Sequence, residues 1–365
     1  MKAVILVGGK ATRLMPLTAN VPKAMVPVVN EPFIKHVIDH LTQHGIDEIV
    51  LAQGHLANSI ERYVGDGSQF GAHIYYSTEP IPLGSAGAAK FAESYLDGTF
   101  LVMNADIISD LDFSSMLRLH NETNARITIA TTPVEDPSRY GVVEAGPDGR
   151  VTRFVEKPKR EEARSNMINA GAWFVDRSVL DMVQPGVSVS FERDIFPRIL
   201  AEGQPFYSFP VNGYWIDMGT RETYLQLHAD LLAGLMAHQQ SRFRVPLVDG
   251  VALGPGSRVD ASARIEGPVV VGANCSVGAQ ARVVGPTVVG EGAVIGARAV
   301  LEASVVWRGF HLGEGARVTG SAVANDCRLE AGCVVEQAVL GDGVIVRPGA
   351  RVPPGSKIDP GTVVQ

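Results

Sequence analysis

From Val259 to Val364 an aliphatic residue returns at nearly every sixth position: 265, 271, 277, 283, 289, 295 and 301, then 306, 312, 318, 323, 329, 335, 340, 346, 352 and 358. Only the steps 301 to 306, 318 to 323 and 335 to 340 are shorter, by one residue, and they recur every 17 residues. Glycine commonly occupies the turns between. A period of six fits neither a helix nor the alternation of an ordinary strand. It fits a triangular coil of parallel strands with one inward aliphatic side chain per face and three faces per turn. The last three turns would then be one residue shorter at the same corner. Each coil covers its neighbour, so stacking supplies the stability, and the exposed end coils favour association of copies.

Residues 1 to about 230 follow another grammar. Apolar strand candidates at 3–7, 48–52, 73–77 and 99–103 alternate with helical patterns. Phe33, Val37, Ile38 and Leu41 share one helical face, and Gly45 stops that helix. Alternation of this kind predicts an α/β domain with a mostly parallel central sheet covered on both sides, whose ligands bind at the carboxyl ends of the strands. Gly8-Gly9 and Asn104-Ala105-Asp106 fall at such ends. The stretch 221–240 reads as one closing helix. The expected division is a domain over 1–235, a linker over 236–249 and the repeat over 250–365.

A net charge of −7 over 365 residues argues against general affinity for nucleic acid. No run resembles a signal peptide or is long enough to span a bilayer, so the expected location is the cytoplasm. The three cysteines, Cys275, Cys327 and Cys333, lack metal-ligand spacing and read as structural thiols of a reducing compartment.

The first strand empties into LVGGKATRLMPLTANVPKAMVP. Glycines at a strand end let backbone N–H groups approach a phosphate, Arg13 can fork onto its oxygens, and Lys23 supplies a point charge. Pro16, Pro22 and Pro27 stiffen the loop that carries both cations. Gly-Gly with one Arg would by itself be an ordinary turn with solvated charges, and the spacing is neither the dinucleotide fingerprint nor the P-loop.

The whole stretch is more specific. Gly8-Gly9-Lys10-Ala11-Thr12-Arg13-Leu14-Met15-Pro16-Leu17-Thr18, followed by Pro22-Lys23 and Pro27, resembles the signature of the sugar-nucleotide pyrophosphorylases (nucleotidyltransferases). PLGSAGA (82–88), NAD (104–106), YGVVE (140–144), FVEKP (154–158), NAG (169–171) and YWIDMG (214–219) continue the likeness in order. Within that group the mannose-1-phosphate guanylyltransferases are the nearest pattern. The tail resembles the left-handed parallel β-helix of hexapeptide repeats. The implied architecture is a Rossmann-like nucleotidyltransferase domain followed by that β-helix. Ala11 departs from the family pattern, which has a third glycine there. A methyl group at this point would crowd a triphosphate or oppose a positive φ.

The resemblance implies that a sugar 1-phosphate oxygen attacks the α-phosphorus of a nucleoside triphosphate and pyrophosphate leaves. Both reactants are anions, so charge neutralisation and alignment matter more than a protein nucleophile. Mg²⁺ would bridge the phosphates. Asp106 and Asp217 are the implied metal ligands, with Asp110 and Asp112 as competitors and Asp112 read as the N-cap of FSSMLRLH. Arg13 would hold the leaving phosphates and Lys23 the α-phosphate. Leu6, Gly8, Gly9, Thr12, Leu83, Gly84 and Gly87 would line the nucleotide, the glycines permitting close approach. Gly141, Glu156, Lys157, Asn169 and Trp215 would serve the sugar phosphate, with Trp173 a core residue or a second aromatic border. The implied partners are the two substrates and, through the β-helix, further copies of the chain.

The resemblance implies GTP and mannose 1-phosphate as substrates giving GDP-mannose, with glucose-1-phosphate thymidylyl-, uridylyl- or adenylyl transfer as the alternative. Two readings of other kinds compete. Hexapeptide β-helices also occur in acyltransferases, which need a histidine base and a long inserted loop. The repeat carries only His311 and no such loop. A regulatory subunit that binds sugar nucleotide without turnover would suit Ala11. His36, His40 and His44 recur every four residues, which could mimic a metal stripe but reads better as a solvated or half-buried face. If the β-helix is only a scaffold, truncation after about residue 235 should alter oligomeric mass more than the chemical step.

Overall fold

The structure is a computed structural model that describes residues 1–9, 11–54, 57–236 and 247–365. Most of the expected linker, and residues 237–240 of the expected closing helix, lie outside the described residues. The chain divides into two compact units, one of Met1–Gly9 with Ile34–Trp215, the other of Lys10–Phe33 with Ile216–Gln365.

The first unit is built on a nine-stranded sheet. Its strands are β1 (Lys2–Leu6), β2 (Glu48–Gln53), β3 (His73–Thr78), β4 (Thr99–Asn104), β5 (Ile127–Pro133), β6 (Gly141–Ala145), β7 (Val151–Glu156), β8 (Met167–Asp176) and β9 (Phe206–Pro210). β3, β2, β1 and β4 pair in parallel, in that order. The long β8 joins β4 antiparallel and leads on to β5 and β6. The four predicted strands are the parallel core, and Ala3, Val4 and Ile5 are wholly buried, as a strand covered on both faces requires. The α-helices among the described residues are α1 (Phe33–Gln43), α2 (Ala57–Val64), α3 (Gly84–Phe91), α4 (Phe113–Glu122) and α5 (Phe196–Ala201), with α6 (Arg221–Leu232) in the second unit. The four apolar residues of α1 are buried, and Gly45 beyond its end has φ +71°. Trp173 is fully buried edge-on to Phe191 and Phe196, so it belongs to the core and borders no ligand.

In the second unit the repeat forms three all-parallel sheets of seven, seven and six short strands. This is the arrangement of a left-handed parallel β-helix. The inward aliphatics from Val271 to Val352 are nearly all buried in one continuous core, each contributing about 1.5–3 kcal/mol. Register advances by 18 residues in Val269↔Thr287, by 17 in Val288↔Val305, Val305↔Ala322 and Ala322↔Val339, and by 18 again in Val339↔Lys357. The three short turns are therefore not the last. The three shortened steps all fall at one corner, the one that Gly267-Pro268 and Gly285-Pro286 turn in the coils before them. Buried hydroxyls tie successive coils there. Thr287 Oγ1 accepts from Ser304 N at 3.4 Å, Ser304 Oγ from Ser321 N at 3.1 Å and Ser321 Oγ from Ala338 N at 3.1 Å. Each hydroxyl satisfies an amide of the next coil. Cys275, Cys327 and Cys333 are free and buried in this core. Burial pushes the Cys327 thiol up to about 12 and Cys333 to about 11.

Candidate functional site

The residues expected at the site divide between the two units. In the second unit, Thr12–Leu14 forms a single tight turn after Ala11. Ala11 has φ +40° and ψ +41°, the left-handed conformation that glycine takes without cost. The positive φ foreseen at this position is thus what the loop adopts. Thr18 Oγ1 donates to the Ala11 carbonyl at 3.0 Å and closes the loop on itself.

Asp217 collects the two cations of the signature. Arg13 Nη2 lies 3.3 Å from its Oδ2, and Lys23 Nζ 3.4 Å from its Oδ1. Arg13 is 57% exposed while Lys23 and Asp217 are 14% and 12% exposed, so the carboxylate sits deep and the guanidinium reaches outward. Asp217 is held just ahead of α6, where Thr220 caps the helix through Thr223. Gly219, which sequence reasoning passed over as a site residue, makes this arrangement possible. A Cβ there would stand 2.9 Å from Arg13 Nη2 and 3.2 Å from Asp217 Oδ2. The YWIDMG string carried it, but nothing in the string said which side chain needed the space. The loop is also braced from below. Trp307 Nε1 donates to Tyr224 Oη at 2.9 Å, and Tyr224 Oη donates to the Pro27 carbonyl at 2.6 Å, in a buried relay from the β-helix through α6.

In the first unit, Leu6 ends β1, and Gly8 and Gly9 follow it, exposed, with open space where a Cβ would stand. Gly9 has φ +131°. The glycines of PLGSAG also admit a backbone neighbour within the same unit. A Cβ on Gly84 would meet the Val189 carbonyl at 2.6 Å, and one on Gly87 the Val187 carbonyl at 2.9 Å. Ala86 and Gly87 amides both donate to Val189 O at 3.0 Å, so the close approach is that of the 187–189 backbone. Leu83 is 3% exposed, its amide held by Glu79 at 2.8 Å.

Asp106 stands in the turn after β4. Asp110 is buried, accepts from Tyr214 N at 3.1 Å and ties down the 213–214 chain, while Asp112 caps α4 through Ser115 N at 3.0 Å. Both have structural tasks. Gly141, Glu156 and Lys157 come together. A Cβ on Gly141 would meet Phe154 Cζ at 2.4 Å and Glu156 Oε2 at 3.0 Å, and Lys157 Nζ pairs with Glu156 Oε1 at 3.3 Å. Lys157 is 59% exposed and has φ +48°. Asn169 Oδ1 accepts from Gly171 N at 2.9 Å. Gly171 is a second omission of sequence reasoning: at φ +78° its Cβ would strike Ile107 Cδ1 at 2.0 Å and crowd Asn104 Nδ2 at 3.2 Å. Trp215 Nε1 donates to Ala170 O at 3.1 Å, and its ring meets Tyr140 edge-on with centroids 5.7 Å apart.

Asp106 and Asp217, one in each unit, are oxygen donors of the kind a hard divalent cation takes, and among the described residues no three His, Cys, Asp or Glu side chains converge. Magnesium commonly takes one or two protein carboxylates and fills its remaining positions from substrate phosphates and water. The histidines of α1 form no metal stripe. His36 and His40 are buried, more than the solvated or half-buried face foreseen, and His40 Nε2 contacts the Leu111 carbonyl at 3.0 Å.

Residues 2–234 match the family model described as nucleotidyl transferase, and residues 265–360 match the GMPPB C-terminal domain. The chain is 34% identical over 340 residues to mannose-1-phosphate guanylyltransferase of Mycobacterium tuberculosis, covering 92% of this chain and 83% of the relative. It is 34% identical to UTP–glucose-1-phosphate uridylyltransferase of Synechocystis, covering 88% of this chain and 87% of the relative. Mannose-1-phosphate guanyltransferase of Yarrowia lipolytica is 37% identical over 73% of each chain. Among solved structures, HddC from Yersinia pseudotuberculosis complexed with GMP-PN superposes with a TM-score of 0.54 and 28% identity, over 62% of this chain and 97% of that one.

Proposed function

Because the chain belongs to the nucleotidyl transferase family, we propose that it transfers the guanylyl group of GTP to mannose 1-phosphate, giving GDP-mannose and pyrophosphate. The observation that carries this reading is the cluster of Arg13, Lys23 and Asp217. Two cations turned on one carboxylate are already oriented, Lys23 sheltered and Arg13 open to solvent, and an arriving polyphosphate supplies the anionic oxygens they then share.

An oxygen of the sugar phosphate forms a bond to the α-phosphorus. The bond from that phosphorus to the bridging oxygen breaks, and its electron pair leaves with pyrophosphate. No general base is needed, since a phosphate monoester is anionic near neutral pH. Mg²⁺, held by Asp106 and Asp217, would neutralise phosphate charge when bound. Arg13, the outward cation, holds the leaving β- and γ-phosphates. Lys23, the sheltered one, serves the α-phosphate, where charge builds at the transition state. Lys157 takes the phosphate of the sugar and Glu156 its ring hydroxyls, exchanging their mutual ion pair for the substrate. The mannose-1-phosphate guanylyltransferase relatives support guanine and mannose. The Synechocystis relative supports uridylyl transfer to glucose 1-phosphate as the second reading. Copies associate through the β-helix, whose first coil leaves Leu253 and Val259 exposed. Three buried free thiols suit a cytoplasmic, reducing setting.

The test is pyrophosphate release from a grid of nucleoside triphosphates and sugar 1-phosphates with Mg²⁺. GTP with mannose 1-phosphate should give the highest kcat/KM, and Asp217→Asn should lower it at least about a hundredfold. Release only with UTP and glucose 1-phosphate would establish the second reading. No release from any pair would overturn both.

A further inference from the structure

The tight turn that carries Arg13 leaves one of its own carbonyls without a backbone donor. Leu14 N donates to Ala11 O at 3.1 Å, Met15 N to Thr12 O at 3.3 Å and Leu17 N to Leu14 O at 3.0 Å. The i+3 donor for the Arg13 carbonyl would be residue 16, and Pro16 has no N–H. The signature therefore strands this acceptor by its own sequence. The donor comes from the repeat: Lys357 Nζ lies 3.2 Å from Arg13 O. Lys357 is on the strand Lys357–Ile358, which pairs with Val339–Leu340 in the 18-residue turn after the three short ones. It lies along a cleft of about 290 Å³ whose walls include Arg13, Arg221, Glu222 and Ser356. Neighbouring bonds anchor the same segment to the same coils. Asn20 Nδ2 donates to Asp342 Oδ2 at 2.9 Å, and Arg221 Nη1 donates to the Gln337 carbonyl.

We propose that Lys357 is a positioning residue for Arg13, filling the acceptor that Pro16 strands and fixing the backbone from which the guanidinium reaches Asp217. This rests on the role given to Arg13 above. A charged donor on a carbonyl stiffens a one-turn helix that would otherwise hold the arginine by few bonds. Lys357 acts on the triphosphate only through Arg13, and the sugar phosphate does not sense it.

The experiment is a double-mutant cycle of Lys357→Met with Arg13→Lys, with Lys357→Arg as the conservative variant. The readouts are kcat/KM for the triphosphate, KM for the sugar 1-phosphate, and triphosphate affinity by calorimetry. Lys357 is exposed, so the variants should fold. Lys357→Met should lower kcat/KM and affinity for the triphosphate about fivefold, the worth of one hydrogen bond. It should leave the sugar KM within about twofold, and Lys357→Arg should restore most of the loss. In the Arg13→Lys background Lys357→Met should cost less than about twofold, because the side chain it steadies is already altered. An equal loss in both backgrounds would mean that Lys357 meets the ligand directly, and no loss in either would mean that the bond is idle. Both would overturn the proposal. A wild type that releases no pyrophosphate would instead sink the functional reading.

Discussion

Ala11 is a residue in a glycine's conformation. A left-handed L-residue costs about 1–2 kcal/mol, and glycine at such a place recovers most of this after its larger entropy loss. Ala11→Gly should therefore raise stability by up to about 1 kcal/mol, read as a rise of one to three degrees in Tm, with turnover equal to or above that of the wild type. A lower rate would show that the loop depends on the methyl group. The glycines show how far single residues can be read from sequence. Their presence at 84, 87, 141, 171 and 219 was plain, but each answers to a partner distant along the chain. Gly219 makes room for Arg13, Gly141 for Phe154 and Glu156, and Gly84 for Val189. Sequence order alone pairs none of these. The ordered motifs picked out Arg13, Lys23 and Asp217 as site residues, but the ion pairs among them, which join residues 204 and 194 positions apart, were not foreseen.

At the scale of elements, α1 and α4 each bury a histidine. His40 in α1 is pushed down to about 3 and His120 in α4 to about 4, in both chiefly by burial. Their ordinary value is near 6.5, so both are neutral in the fold and gain protons only on unfolding. Stability is complete above about pH 6.5 and declines as pH falls toward 4, by about 1.4 kcal/mol per unit for each histidine. Urea unfolding at pH 7, 6 and 5 should give a falling midpoint. A flat profile would show that neither ring is buried neutral. The helix itself was easy to foresee, because its apolar spacing fixes the buried face. The burial of its histidines was not, since Phe113 and Leu111, which surround His40, come from another segment. The coils were legible for the same reason as the helix: one period recurs over many turns. The Thr287–Ser304–Ser321 ladder was hidden, because hydroxyls spaced by 17 look like any polar corner until the coils are stacked.

The whole molecule does not divide at one point in the sequence. Residues 10–33 belong with the β-helix, and the Trp307–Tyr224–Pro27 relay is buried within that unit. A chain ending near residue 235 keeps Tyr224 but loses Trp307, Asp342 and Lys357. The scaffold reading, in which truncation leaves the chemistry alone, is replaced by the opposite expectation. Such a fragment should lose turnover at least about tenfold, given the charged hydrogen bonds removed, along with thermal stability. A stable, fully active fragment would contradict this. Meanwhile the parallel core of β1 to β4 closes within the first hundred or so residues, which is why the α/β half could be recognised strand by strand.

The bond from Lys357 to Arg13 spans 344 residues. On the ribosome, at about 5–20 residues per second, the arginine waits roughly 17 to 70 seconds for its lysine to be made. The β1 to β4 strands can assemble during that interval, while the turn meant to grip phosphate stands unsupported. On the role proposed for Lys357, the turn is steadied only once that strand has been made and stacked, and a chain still short of it, however well folded in its first half, is a poor trap for cellular nucleotides.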